Sequence, residues 1–539
     1  MATSLLNVGA SGLQAAYAAM NTVSHNVANV NTPGYSRQET VQTTMPGMYT
    51  GGGFIGRGVA LESVRRAYDS QVTNQLALAQ SQSSESSTHA ALMTSVDSLF
   101  STDSSGLGAV LDAFTSAVTQ ASSRPADSAS RATVLATANQ LAARLNGISG
   151  QLDTLGQNAD LAIRASVSDI NGLTQRIGQL NDAIAAATAT GQTPNDLLDQ
   201  RDSLINDLNA KVGVTTMTQS DGSMNVFLSA GPALVLGDTV SKLSIAPDPT
   251  VPGRQLVGVT NGPNVVTMNA SNLSGGELAG NIKFREVSLV NAQNNLGRLS
   301  VALASAYNQV HQAGTDLNGA TGNPLFTTGA PLSYATSTNT GTGAVSIAIA
   351  NASALQASDY RIDYNGTNYT ITRSSDGTKT TAASFPIAID GLTLTMAGAP
   401  AAGDSFTLQP VRGAAGGFKV AVTTTNGLAF GQSTNAGDNT NALALADIPN
   451  RSVLGTQTIS QALGETAALI GTETSGLKLT DSLNTKLLTQ AQASQSSVSG
   501  VNLDEEAANL MRYQQAYQAS AKVMSAAQTI FDTLLSLGK

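Results

Sequence analysis

The sequence has no cysteine and no tryptophan among its 539 residues, and only three histidines. Without cysteine there is no disulfide framework, no thiolate zinc site and no cysteine nucleophile. Aromatic residues make up 4% of the chain and charged residues 12%, against a usual charged fraction of about 25%. Basic runs are missing and the net charge is −9. That excludes a dedicated nucleic-acid binder, because phosphate binding needs clustered Lys and Arg. No apolar run approaches the ~18 residues of a membrane span. The N-terminus also lacks the positive segment and unbroken apolar core of a cleaved signal peptide.

Catalytic patterns are missing too. His25, His89 and His311 have no His or carboxylate at metal-ligand spacing, so surface or packing roles are expected of them. Gly51 to Val59, GGGFIGRGV, lacks the Lys-Ser or Lys-Thr of a phosphate loop and reads as a turn before a short strand. Thr315 to Gly319, TDLNG, has Thr327 where a calcium loop needs a bidentate Glu. No G-x-S-x-G elbow presents a serine nucleophile. The expectation is a protein that is not an enzyme and carries no cofactor and no metal.

What is present is periodicity built on small residues. The first 36 residues contain no Asp, Glu, Lys or Arg. Within them Leu6, Leu13, Met20 and Val27 recur one heptad apart, with Gly9, Ala16, Val23 and Val30 as the companion series. Such a seam marks a helix packed on other helices. An ordinary surface helix keeps a charged face, so this one suits burial on several sides and is expected to be mobile in an isolated monomer, since most helical stability comes from tertiary packing. Thr32-Pro33-Gly34-Tyr35 then places Pro where a turn wants φ of about −65° and Gly where it needs positive φ.

The other end mirrors this arrangement. Asn502 and Glu505 form a capping-box-like pair, with Asp504 and Glu506 in the first turn, where the helix dipole favours acids. The seam then runs Leu510, Tyr517, Met524 and Phe531, with Tyr513, Ser520, Ala527 and Leu534 beside it.

Between the ends, residues 70–215 read as helical. Ile163, Ile170, Ile177 and Ile184 fall one heptad apart, Gly191 stops that helix, and Thr193-Pro194-Asn195-Asp196 starts a returning arm. From Gly213 the period drops to two, with Asp221-Gly222 as a hairpin turn before Met224, Val226 and Leu228. Residues 277–312 and 455–498 return to helix, and 330–445, rich in Thr, Gly, Ala and Ser, reads as an inserted β domain. The fold class is therefore α+β and multidomain: a long helical bundle or coiled coil formed by the N- and C-terminal segments, with central β-rich domains inserted. The expected division is 1–36 with 499–539 as a terminal layer, 37–312 with 455–498 as a helical domain carrying a small β subdomain near 213–276, and 313–454 as a β-rich outer domain.

Asn26 to Gln38, NVANVNTPGYSRQ, resembles the N-terminal signature of bacterial flagellar rod, hook and hook-associated proteins. Gly500 to Leu535, GVNLDEEAANLMRYQQAYQASAKVMSAAQTIFDTLL, is similar to the C-terminal signature of that group. With Leu197 to Leu208, LLDQRDSLINDL, and the overall length, these ends most resemble the hook-associated protein 1 family, the hook–filament junction proteins. The resemblance implies a structural part of the flagellum, exported through the type III apparatus without a cleaved signal and polymerising outside the cell between hook and filament. The partners it implies are further copies of the chain, the hook protein, hook-associated protein 3 and an export chaperone on the C-terminal helix. A hook or rod protein is the neighbouring reading, and a secreted adhesin or glycan-binding protein acting through the central β domain is the alternative from another class. Asn26, Asn29 and Asn31 are expected to bond across subunits.

Overall fold

A computed structural model describes residues 2–49, 53–100, 106–229, 231–261 and 264–537. Gly51 and Gly52 of the glycine-rich stretch, and the side chain of Leu534, lie outside the described residues. Ten α-helices are described: α1 (Ala2–Ala28), α2 (Ser70–Leu99), α3 (Leu107–Ser122), α4 (Ser128–Ala189), α5 (Asn195–Lys211), α6 (Gly276–Lys283), α7 (Leu289–Gln312), α8 (Thr440–Ala446), α9 (Ile459–Ser499) and α10 (Leu503–Leu537).

Helix α4 sets the scale of the body. Its 62 residues span about 93 Å at 1.5 Å per residue, so its two ends belong to different cores. The N-terminal half packs Val134, Leu141, Leu145, Ile148 and Leu152 against α3, α7 and α9. The C-terminal half turns Ile163, Ile170 and Ile177 into a second core with α5, α6 and the β subdomain. Asp127 caps α4 by accepting from Ser130 N at 2.8 Å, and Gly191, at φ +77°, follows the helix end. Helix α5 starts at Asn195 with Pro194 as its cap residue, one position later than the expected cap at Thr193 and first helical residue at Pro194, and Pro194 offers no side-chain acceptor.

The β subdomain is built from hairpins. Val214–Thr218 and Met224–Leu228 pair antiparallel across Asp221-Gly222, with Gly222 at φ +85°. The alternation of the second strand buries Met224, Val226 and Leu228. Asn181 of α4 straps this sheet to the helix, donating to Met224 O at 2.8 Å and to Gly237 O at 2.7 Å while accepting from Met224 N at 3.0 Å. Its amide thus meets backbone groups that burial would otherwise leave unpaired.

The second β domain is narrower than 313–454. A five-stranded antiparallel sheet in the order Leu332–Ala335, Ser405–Gln409, Tyr360–Tyr364, Tyr369–Arg373, Lys379–Ala382 faces a three-stranded sheet of Ala344–Ile349, Leu392–Ala397 and Ile387–Ile389. Their shared core holds Ile362, Ile371, Leu394, Phe406 and Leu408. The flanking segments do otherwise. Leu325 and Phe326 before the domain, and Phe418, Leu428, Phe430, Leu445 and Ile448 after it, join the core of α3, α4 and α7. There Phe326 meets Phe114 edge-on at 5.6 Å and packs against Phe418 at 4.9 Å. The domain rests on α7, where a Cβ on Gly297 would lie 1.9 Å from Val411 O. Only glycine permits that approach.

Two of the three histidines are used in packing. His311 is fully buried, its Nδ1 2.5 Å from Asn323 O and its Nε2 accepting from Ala429 N at 3.0 Å. His89 Nε2 lies 2.9 Å from Ser288 Oγ.

Candidate assembly surface

The two ends of the chain meet. Helix α1 runs antiparallel to α10, with Gly9 against Met524 and Ser520 near one end and Asn26 against Glu506 near the other. A Cβ on Gly9 would lie 2.7 Å from Met524 Cγ and 3.4 Å from Ser520 O, and one on Gly12 would lie 2.7 Å from Ser520 Oγ. Glycine therefore lets the two backbones approach here. The strip of α1 that is buried holds Gly9, Ala15, Ala16, Ala19, Val23 and Asn26. It contains Gly9, Ala16 and Val23 of the companion series, whereas Val30 lies in the turn past the end of α1 and is half-buried. The larger series sits to one side: Leu6, Leu13 and Met20 are half-buried and Val27 is exposed. On α10, Leu510 and Met524 are half-buried, Tyr517 and Phe531 are exposed, and Glu506 and Ala527 are buried.

The turn after α1 ties this pair to the body. Tyr35 N donates to Thr32 O at 3.2 Å, and Gly34 has φ +78°, so Pro33 and Gly34 occupy the two central turn positions. The turn brings Tyr35 back onto the helix it leaves. Its hydroxyl donates to Asn26 Oδ1 at 2.7 Å, and His25 Nδ1 lies 3.0 Å from the Tyr35 hydroxyl oxygen. Burial, then the carboxylates Asp196, Asp199 and Glu506, push the Tyr35 phenol well above its ordinary pKa, so it remains a donor.

Asn26 is the centre of this knot. Its amide donates to Gln38 O at 2.9 Å and to Glu506 Oε2 at 3.0 Å, and its oxygen also accepts from Gln38 N at 2.9 Å. The expectation that it bonds across subunits is overturned, because all of its hydrogen-bonding groups are used within the chain. Asn29 likewise donates to His25 O at 3.0 Å and accepts from Thr32 Oγ1 at 3.1 Å, while Asn31 is exposed. Glu505, expected to complete a capping box, binds Arg37 at 2.9 Å instead. Asn502 Oδ1 accepts from Asp504 N at 3.0 Å.

Further bonds carry the knot to α5. Ser36 N donates to Asp199 Oδ2 at 2.9 Å, and Arg66 bridges Asp199 at 2.9 Å and Asp202 at 2.7 Å. Arg66 comes from the strand Val59–Arg66, which pairs antiparallel with Gln38–Thr44.

One face each of α9 and α10 carries exposed apolar side chains. Leu479, Leu483 and Leu487 lie four residues apart on α9 and are all exposed, as are Leu503, Met511, Ile530 and Phe531 on α10 and Tyr17 on α1. Apolar patches of this extent mark interaction sites. Among the described residues no helix is long and apolar enough to cross a membrane, and no group of three His, Asp or Glu side chains is placed to hold a metal ion.

Known proteins match the chain along nearly its whole length. Residues 6–35 match the flagella basal body rod protein family and 492–537 the flagellar basal body rod FlgEFG protein C-terminal family. Residues 93–326 match the flagellar hook-associated protein FlgK helical domain, and 334–410 the D2-like domain of flagellar hook-associated protein 1. Flagellar hook-associated protein 1 of Salmonella typhimurium is 36% identical over 551 residues, covering 99% of this chain and 100% of that protein. The chain belongs to the flagellar hook-associated protein 1 family. The Escherichia coli member is 36% identical over 545 residues, and the Bacillus subtilis member is 25% identical over 562 residues. The flagellar hook junction protein FlgK from Burkholderia pseudomallei superposes with a TM-score of 0.75 at 26% identity, covering 79% of this chain and 100% of that one. As a hook-associated protein 1 family member, the chain is a structural component of the flagellum at the hook–filament junction.

The 334–410 match falls on the two-sheet domain at 332–409. Sequence periodicity places strands there but assigns the flanks, out to 313 and 454, to the same domain, whereas they join the helical core. The Asn26 knot went unread because its partners lie 9, 12 and 480 residues away in sequence. The NTPGYS motif was its only local signal.

Proposed function

We propose that this chain polymerises between hook and filament through its terminal helices. In this reading α1 and α10 form the inner layer of a tube, α2 to α7 and α9 the layer around it, and the domain at 332–409 faces outward. Leu6, Leu13, Met20, Val27, Leu510, Tyr517, Met524 and Phe531 are the assembly positions, and the turn at Pro33, Gly34 and Tyr35 sets the angle between the layers. The observation that carries the proposal is the contrast between the two faces of the α1–α10 pair. One face is packed closely on glycine and alanine, while the other leaves Met511, Ile530 and Phe531 exposed. A helix pair with bare apolar faces is stabilised by burying them on other helices.

The hook protein occupies one side of this zone and hook-associated protein 3 the other. The subunit leaves the cell through the flagellar type III apparatus without a cleaved signal, and an export chaperone covers α10 beforehand. The uncharged first 36 residues and the exposed face of α10 support this route, because both need a partner at every stage. The test is the deletion phenotype. Cells lacking the protein should keep complete hooks and shed unpolymerised filament protein into the medium. Attached filaments in the deletion strain would refute the proposal.

A further inference from the structure

The ribbon of Met48–Tyr49 and Phe54–Ile55 is bare on both faces. Tyr49 is 66% exposed and Phe54 78%, their rings 5.6 Å apart, and Met48 and Ile55 are exposed beside them. An isolated two-stranded hairpin is marginal in water, and exposed apolar clusters of this kind mark contact sites. Next to it, Arg57 is exposed and makes no ion pair among the described residues.

The strands below the hairpin determine where it lies. Gln38 N bonds Asn26 at 2.9 Å, and Val59 N bonds Ser11 Oγ at 3.3 Å. The paired strands therefore run back along α1, and the hairpin lies beyond Ser11. A cleft of about 590 Å³ opens at the opposite level, between the turn after α1, residues 67–69, α2, α5 and the end of α9. Tyr68, Leu76, Leu78, Ile205 and Val498 line it, and Asp207 is exposed at its edge without an ion pair among the described residues. Along α1 the two levels are separated by about 22 Å, at 1.5 Å per residue between Ser11 and Asn26.

We propose that the hairpin of one copy seats in this cleft of the next copy, with Tyr49 and Phe54 against Leu76, Leu78 and Val498 and with Arg57 facing Asp207. A second copy is the occupant because the chain carries both halves of the contact, apolar side chains for an apolar-lined cleft and an unpaired cation for an unpaired anion. Patches at two different levels cannot close a two-fold dimer. They form a heterologous contact that propagates from copy to copy. The inference rests on the polymerisation reading above and names one contact within it.

The missing cysteines supply the test. In a Phe54→Cys/Leu78→Cys chain these are the only thiols. A disulfide requires Cα atoms within about 7 Å, so the pair cannot close within one copy. Flagella from a deletion strain carrying this variant should give, on oxidation, a ladder of covalent multimers that neither single variant gives. Attached filaments without a ladder, or a bond from Cys-substituted position 54 to a different protein, overturn the contact and leave polymerisation standing. If the double variant does not assemble, charge reversal decides. Arg57→Glu should release filaments, and Arg57→Glu/Asp207→Arg should restore them. No release, or release without restoration, overturns the proposal. Failure of the unmodified chain to restore filaments counts against the polymerisation reading instead.

Discussion

Asn26 and Glu506 stand 480 residues apart in the chain and 3.0 Å apart in the structure, the amide of one donating to the carboxylate of the other, with both side chains almost fully buried. A buried carboxylate needs such donors, because leaving it unpaired incurs its full desolvation penalty. The same amide also holds Gln38 and Tyr35. One side chain therefore joins the first helix, the turn that follows it and the last helix.

Asn26→Ala should cost about 1–3 kcal/mol in the terminal pair, the range for orphaning a buried polar partner. Tyr35→Phe, which removes a single hydroxyl, should cost about 1 kcal/mol. Urea unfolding followed by a probe in α1 checks both. Equal effects of the two changes would argue against Asn26 as the centre.

Gly9→Val should separate α1 from α10, since its Cβ meets backbone atoms of Met524 and Ser520 as well as a flexible side chain. Overpacking of this kind costs about 1–3 kcal/mol. Gly12→Ala meets only the Ser520 side chain and should be milder. Hydrogen exchange of the isolated chain should already be faster through α1 and α10 than through α4, and Gly9→Val should widen that gap.

Gly297→Val should loosen the domain at 332–409 from α7, because no rotamer moves a Cβ away from Val411 O. Faster proteolytic cleavage between 410 and 415, with the domain itself intact, is the expected outcome.

Acid should weaken the body before it titrates most carboxylates. Burial lowers the pKa of His311 below its ordinary 6.5, outweighing the bond to Asn323 and the nearby Asp316, and burial likewise lowers that of His89. A depressed histidine is neutral when folded and takes up a proton on unfolding. Its contribution is fully present above pH ~6.5 and is lost as pH falls from there toward the folded value. Thermal melts should show the midpoint declining between pH 7 and pH ~6, and His311→Gln should flatten that slope while lowering stability throughout.

Much of the plan was legible in the sequence because periodicity reports burial. Ile163, Ile170, Ile177 and Ile184 are all at or near zero exposure, and Asp221-Gly222 marks its hairpin. On α1 the two heptad series divide: Gly9, Ala16 and Val23 are buried, where close approach of two backbones needs small side chains, and Leu6, Leu13 and Met20 stay half-buried beside them. The boundary of the outer domain was misplaced because strand pattern does not say which core a segment joins. Phe326 pairs with Val420 in two short strands and packs its ring on Phe418, yet both phenylalanines belong with Phe114 and Tyr307.

The most direct test of assembly through the terminal helices is complementation by a chain carrying Met511→Asp, Tyr517→Asp and Phe531→Asp. These exposed positions lie off the buried α1–α10 strip, so circular dichroism and thermal melting of the central domains should be unchanged. In a deletion strain this variant should leave hooks bare and filament protein in the medium. Normal filaments on hooks that incorporate the variant would contradict the account.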